Sequence, residues 1–95
     1  MDYGMKAVAL LQTINTTFDE LERVIDTIAL EADCNEENID VFISKADVHI
    51  KELKNEISLY IKSVPETTQK YRDILNQHYY SRHNQLSGKI ANLRN

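Results

Sequence analysis

The sequence predicts an all-α fold, a single domain folded as an elongated, antiparallel up-down-up bundle of three helices. Glycine (two residues) and proline (one) are scarce among 95 residues, whereas a β fold with many hairpins needs many turn residues. Apolar residues also recur at helical spacing in three successive segments. Two short breaks separate these segments, and short connections make neighbouring helices run antiparallel. We therefore expect helices near residues 5–33, 36–62 and 65–93.

The first segment carries an apolar stripe whose members are alternately three and four residues apart, a pattern typical of a helix buried on one face. The stripe consists of Leu11, Ile14, Phe18, Leu21, Ile25 and Ile28. It stops at the polar residues 33–38, where Asn35 is a favourable N-cap for the next helix. Glu36 and Glu37 then suit a helix N-terminus, since the helix dipole favours negative charge there.

The second segment repeats the same spacing with Ile39, Ile43, Ala46, Ile50, Leu53, Ile57, Tyr60 and Val64. It ends at Ser63-Val64-Pro65-Glu66, which fits the S-x-x-E capping box, and proline is tolerated in the first turn of a helix. The sequence therefore predicts that the second helix ends here and that a third begins.

The third segment is less apolar, although it still has an inward arc formed by Tyr71, Leu75, Tyr79, Leu86, Ile90 and Leu93. Gly88 lowers its helix propensity by about 1 kcal/mol relative to alanine, and it is expected to mark either close packing or weakened last turns. Because the three apolar seams are narrow, an alternative is that the chain adds a partner helix or self-associates.

Charge is distributed unevenly along the chain. Residues 1–40 carry ten acidic and two basic side chains, a net charge of −8, whereas residues 41–95 carry five acidic and nine basic ones, a net charge of +4. We expect the first segment to pack beside the last, so that the two halves neutralise each other. The alternative is an acidic or basic surface for a partner.

Arg82 is the irregular residue of the third segment, because it lies within the apolar arc. In an up-down-up bundle the first and third helices are parallel, which brings Arg82 level with residues 19–22. We predict that Arg82 pairs with Glu22 or Asp19. The alternative is that Arg82 marks the point where the third helix turns towards solvent or a partner.

Residues 70–86 concentrate tyrosine, histidine and arginine, but their spacing favours no chemistry. His78 and His83 are five residues apart, about 140° around a helix, so they cannot share a metal ion. Cys34 lies in an acidic connection that does not favour a thiolate, and Ser81 has no base at a reachable helical spacing. We expect neither a metal site, nor a cofactor, nor enzyme activity.

Partners of other classes are also disfavoured. The basic residues of the third segment scatter around its helix, and the acidic first segment repels a polyanion, so nucleic acid is not expected. The sequence contains no secretory h-region and no run of 18 apolar residues, so no membrane insertion by these residues is expected. A lone cysteine suits a reducing, cytoplasmic setting. We expect protein partners and a monomer, with self-association as the alternative.

Residues 70–79 read KYRDILNQHY. They resemble the third helix of the N-terminal domain of Golgi Qb-SNAREs, in which an aromatic residue or histidine, a basic residue, an acid and Ile-Leu precede a polar pair and another histidine or aromatic residue. Residues 39–64 are similar to the second helix of that domain and of the related Qb-SNAREs of the trans-Golgi and endosome. The resemblance covers roughly residues 35–90, and its motif spans about ten of them.

The resemblance implies the three-helix regulatory domain of a vesicle-fusion protein, on the cytosolic face of Golgi or endosomal membranes. Such domains precede a SNARE helix and a C-terminal membrane anchor, contact trafficking partners or fold over the SNARE helix. Neither later part is among these 95 residues, so the chain would be one domain of a longer protein. The alternative is a small helical adaptor or coiled-coil subunit of a larger assembly, such as a bacterial secretion or phage accessory protein, complete at 95 residues.

Under either interpretation the function would be carried by helix surfaces. The candidate partner-binding residues are Tyr71, Arg72, His78, Tyr80, Arg82 and His83.

Overall fold

The computed structural model describes residues 3–30 and 35–94, apart from the side chain of Thr68. These residues form a body of 51 × 17 × 16 Å that contains no β-strand in its described part. Its elements are α1 (Tyr3–Leu30), α2 (Glu36–Ser63), a 3-10 turn (Glu66–Thr68) and α3 (Gln69–Arg94). The predicted all-α, elongated three-helix bundle is confirmed.

The N-terminus of α2 forms as predicted. Asn35 is its N-cap, and the side-chain oxygen of Asn35 accepts a hydrogen bond of 2.9 Å from the backbone N–H of Asn38. Residues 31–34, which include the predicted end of the first helix and Cys34, lie outside the described residues.

The connection between α2 and α3 differs from the prediction. Ser63 still belongs to α2, where its hydroxyl donates to the carbonyl of Tyr60 (2.7 Å), and it does not cap the third helix. Pro65 is extended (φ −63°, ψ 152°), and a short 3-10 turn follows it. The predicted start of the third helix at residue 65 was therefore wrong, and α3 begins at Gln69.

The core lies along the axis of the bundle and follows the predicted stripes. Leu11, Ile28 and Ile43 lie at its edge and are half-buried, and α3 contributes less apolar surface than α1 or α2. The predicted stripes omit Phe42 and the carboxylate of Glu22, both of which are buried. The buried apolar residues are Ala7, Ile14, Phe18, Leu21 and Ile25 of α1, Ile39, Phe42, Ala46, Ile50, Leu53, Ile57 and Tyr60 of α2, Val64, and Leu75, Tyr79 and Leu86 of α3.

The order of the helices in space is up-down-up. The Tyr60 hydroxyl, near the end of α2, donates to the carbonyl of Tyr3 at the start of α1 (2.8 Å). Arg94, at the end of α3, pairs with Asp40 near the start of α2 (2.7 Å). Helix α2 is therefore antiparallel to its two neighbours. The parallel pair α1 and α3 packs most closely, and α2 and α3 pack least closely.

Gly88 does not mark close packing. It is exposed in the last third of α3, and a Cβ atom at this position would meet no heavy atom within 4 Å. Its effect on the fold is therefore limited to its weak helix propensity.

Candidate interaction surfaces of the third helix

The six candidate partner-binding residues do not share one surface. Tyr71 lines a groove with Val8 of α1, and His78 and Arg82 form hydrogen bonds with side chains of α1. His83 lines the opposite groove, between α3 and α2, together with Asp47. On a helix with about 100° per residue, Arg72 and Tyr80 also lie on the α2 side.

Polar side chains connect α1 to α3 along a continuous line, here called the α1–α3 seam. Each of its four rungs joins a residue of α1 to the residue 63 positions later in the sequence. The rungs are Asn15–His78 (2.7 Å), Asp19–Arg82 (2.6 Å), Glu22–Gln85 (2.8 Å) and Asp26–Lys89 (3.4 Å). The constant separation shows that α1 and α3 run parallel and in register, and it pairs acidic α1 with basic α3.

Arg82 lies at the centre of the α1–α3 seam and makes the predicted ion pair. Its Nη2 atom is 2.6 Å from a carboxylate oxygen of Asp19 and 2.6 Å from one of Glu22. Its Nη1 donates to the side-chain oxygen of Asn15 (3.0 Å), and the guanidinium lies 5.8 Å from the centroid of the Phe18 ring. Only 14% of the Arg82 side chain is exposed, so the alternative in which it turns towards solvent does not hold.

Two opposing effects act on the pKa of Arg82. Burial lowers it, because the charged form loses water. The hydrogen bonds to Asp19 and Glu22 and the charges of these carboxylates raise it more, so the pKa lies above its ordinary value. Within the described part of the chain, the buried Nε of Arg82 has no hydrogen-bond partner. An unsatisfied buried donor costs about 1–3 kcal/mol.

The two histidines are engaged in different structural contacts. His78 Nε2 is bonded to Asn15 in the α1–α3 seam. His83 packs against two buried rings, edge-on to Phe18 (6.5 Å between centroids) and tilted against Tyr79 (5.9 Å). Among the described residues there is no group of three or more histidine, cysteine, aspartate or glutamate side chains arranged for a metal ion.

Tyr80 is the most exposed of the six candidates. Tyr80 is 53% exposed, and its ring packs edge-on against the ring of Tyr79, with 5.3 Å between the ring centroids. The contact holds the exposed ring in place beside the buried one. Burial, and to a lesser extent the nearby Tyr80, raise the pKa of Tyr79.

The predicted site residues, all in the third segment, did not include the exposed lysines of α2. Lys51, Lys54 and Lys62 are exposed; Lys54 lies on the side of α2 that faces α3, and Lys51 and Lys62 lie further out towards solvent on the same flank. Together with Arg72 and Tyr80 they form what we call the α2–α3 basic surface. The regular spacing of the lysines was visible in the sequence, but their proximity to Tyr80 depends on how α2 and α3 are aligned.

Comparison with protein-family models, with curated proteins and with solved structures gave no match. None of the described helices combines the length and the apolar character that a bilayer-spanning segment needs. A functional assignment therefore depends on the residues described above.

Proposed function

We propose that this chain is a non-catalytic protein-interaction domain, of the kind that forms the N-terminal regulatory domain of a SNARE in Golgi or endosomal vesicle transport. The observation that carries the proposal is the use of the polar residues of α3. His78 and Arg82 hold α3 against α1, and His83 packs on buried rings. These contacts support a structural role for His78, Arg82 and His83, and we expect a partner to bind the exposed helix surfaces.

The segment that carries the SNARE resemblance lies in the first half of α3. Leu75 and Tyr79 of this segment are buried in the core, and Tyr71 is half-buried. Arg72, and Tyr80 directly after the segment, lie towards the α2 side. An arrangement of this kind suits a helix that both completes a bundle and presents a surface. We expect the domain to act on the cytosolic face of Golgi or endosomal membranes.

The proposal is tested on the full-length protein. We expect its complete coding sequence to contain a SNARE heptad region and an apolar tail, and a fluorescently tagged copy to colocalise with a Golgi or endosomal marker. Titration of the domain with the downstream SNARE helix, followed by calorimetry, then measures whether it folds over that helix. A coding sequence that lacks the heptad region, or a diffuse distribution of the tagged protein, overturns the SNARE assignment.

One observation favours the second candidate, a helical adaptor of a larger assembly. Val41, Val48 and Leu59 are exposed on one side of α2, and Leu59 lines a groove with Leu10 of α1. A further helix or a second copy could cover this stripe. Sedimentation equilibrium distinguishes the candidates, because a mass that rises with concentration favours the adaptor and a constant monomer mass favours the regulatory domain.

A further inference from the structure

The α2–α3 basic surface is aligned by the antiparallel packing of its two helices. On α2, Asp47 lines the groove that also contains His83. Residues 51, 54, 58 and 62 follow Asp47 at spacings of four, three, four and four, so they continue along the same side of the helix. Lys51, Lys54 and Lys62 therefore lie in one row.

Arg72 and Tyr80 of α3 lie at the same heights along the bundle axis as lysines of the row on α2. Arg94 pairs with Asp40, which fixes the alignment of the two antiparallel helices. At that alignment Tyr80 lies level with Lys54, and Arg72 lies level with Lys62. Lys51 and Lys54 thus lie near the height of the exposed Tyr80 ring, and Arg72 and Lys62 lie about 12 Å further along the bundle.

These four bases differ from three bases of α3 in lacking an acidic partner. Arg82, Lys89 and Arg94 all form ion pairs with acids of α1 or α2. By contrast, no described carboxylate forms an ion pair with Lys51, Lys54, Lys62 or Arg72. Asp47 and Asp73 lie beside the two rows, so the surface carries four bases and two acids and keeps a positive charge in a chain whose net charge is −4.

We propose that the α2–α3 basic surface binds an acidic, helical segment of a partner protein. Carboxylates of the segment would pair with Lys51, Lys54 and Lys62, and an apolar residue would pack on the ring of Tyr80. This inference rests on the proposed interaction role, but it does not depend on the SNARE assignment.

The groove that adjoins the α2–α3 basic surface favours a protein segment over a lipid bilayer. Helices α2 and α3 pack least closely, and beyond Lys51 a concave groove runs between them, with Ile50 and Leu86 at its base. The other end of the same face carries exposed Glu36 and Asp40, and the single charge of Arg94 offsets only one of these two carboxylates. A flat anionic membrane would meet the remaining negative charge, whereas a short segment would not reach it.

The test uses the 95-residue chain and a fluorescein-labelled amphipathic peptide made of Glu, Leu and Ala. A sister peptide has Gln in place of Glu. The surface variant is Lys51→Glu/Lys54→Glu. The matched control is Lys6→Glu/Lys45→Glu, which makes the same change of charge on the α1 side of α2 and on α1 itself. Circular dichroism verifies that both variants are folded.

We expect fluorescence anisotropy to report binding of the Glu peptide that weakens with salt. The surface variant should weaken this binding by about tenfold or more, and the control by less than about twofold. Equal binding of the Gln peptide, an equal loss in the control variant, or no binding of either peptide overturns the proposal. Binding to vesicles of phosphatidylcholine and phosphatidylserine without binding of the Glu peptide also overturns it, and assigns the surface to lipid. The peptide-binding results do not bear on where the full-length protein is located in the cell. The acidic-segment proposal and the SNARE assignment can therefore be refuted independently.

Discussion

The substitution Arg82→Met tests how much the α1–α3 seam contributes to the free energy of unfolding. Methionine retains most of the apolar volume but leaves the Glu22 carboxylate, which is only 9% exposed, without its closest cation. Loss of one partner of a buried ion pair costs about 3–5 kcal/mol. Glu22 keeps Gln85 at 2.8 Å and Lys89 at 3.7 Å, and the unsatisfied Nε disappears. We therefore expect a loss of about 2 kcal/mol in the free energy of unfolding.

Urea unfolding followed by circular dichroism provides the assay, with two further variants. Asp19→Asn is the control: the Asp19 carboxylate is 60% exposed and Arg82 keeps Glu22 in this variant, so we expect a loss of less than about 1 kcal/mol. The double variant Glu22→Leu/Arg82→Met removes both buried charges, and we expect its stability to lie within about 1 kcal/mol of the wild type or above it. The reasoning is refuted if Arg82→Met costs no more than Asp19→Asn. It is also refuted if the double variant loses the sum of its two single substitutions.

Three further predictions follow from local features. Gly88→Ala should stabilise the protein by about 1 kcal/mol, because the position is helical, exposed and open; a lower urea midpoint would contradict this. Asn35→Ala should cost about 1 kcal/mol through loss of the N-cap, whereas Ser63→Ala should change stability by less than about 0.5 kcal/mol because it is not a cap; equal losses would contradict the assignment of the caps. Burial raises the pKa of Tyr60 and of Tyr79 above the ordinary value of 10.0. Their contribution to stability is therefore complete below pH 10.0 and is lost as the pH rises through the folded-state values. The variant Tyr60→Phe/Tyr79→Phe should flatten the decline of the unfolding free energy above that pH, and an unchanged slope would count against this assignment.

The sequence predicted the fold because apolar spacing alone defines the buried face of a helix. The same periodicity placed Arg82 level with Asp19 and Glu22, and the structure confirms this pair. The boundary at Ser63 was mistaken because a capping-box pattern does not determine which helix the serine belongs to. In the structure its hydroxyl bonds to the preceding turn of α2.

The candidate site was harder to predict than the fold. Six residues close together in sequence occupy opposite sides of α3, because a helix turns by about 100° per residue. Conversely, Lys54 and Tyr80 are distant in sequence and level in space, which only the alignment of α2 with α3 reveals. A surface formed by residues of two helices depends on how the helices are aligned, and the periodicity of apolar residues within one helix does not predict that alignment.

The large separation between the partners of the α1–α3 seam bears on how the chain is made. Each rung joins residues 63 positions apart, and the first and last helices form the closest pair in the bundle. During synthesis on a ribosome, α1 and α2 emerge before the helix that covers their apolar faces. The main interface cannot close until nearly the whole segment has left the exit tunnel. We therefore expect chaperones to bind this protein during synthesis, when α1 and α2 have emerged from the ribosome and α3 has not.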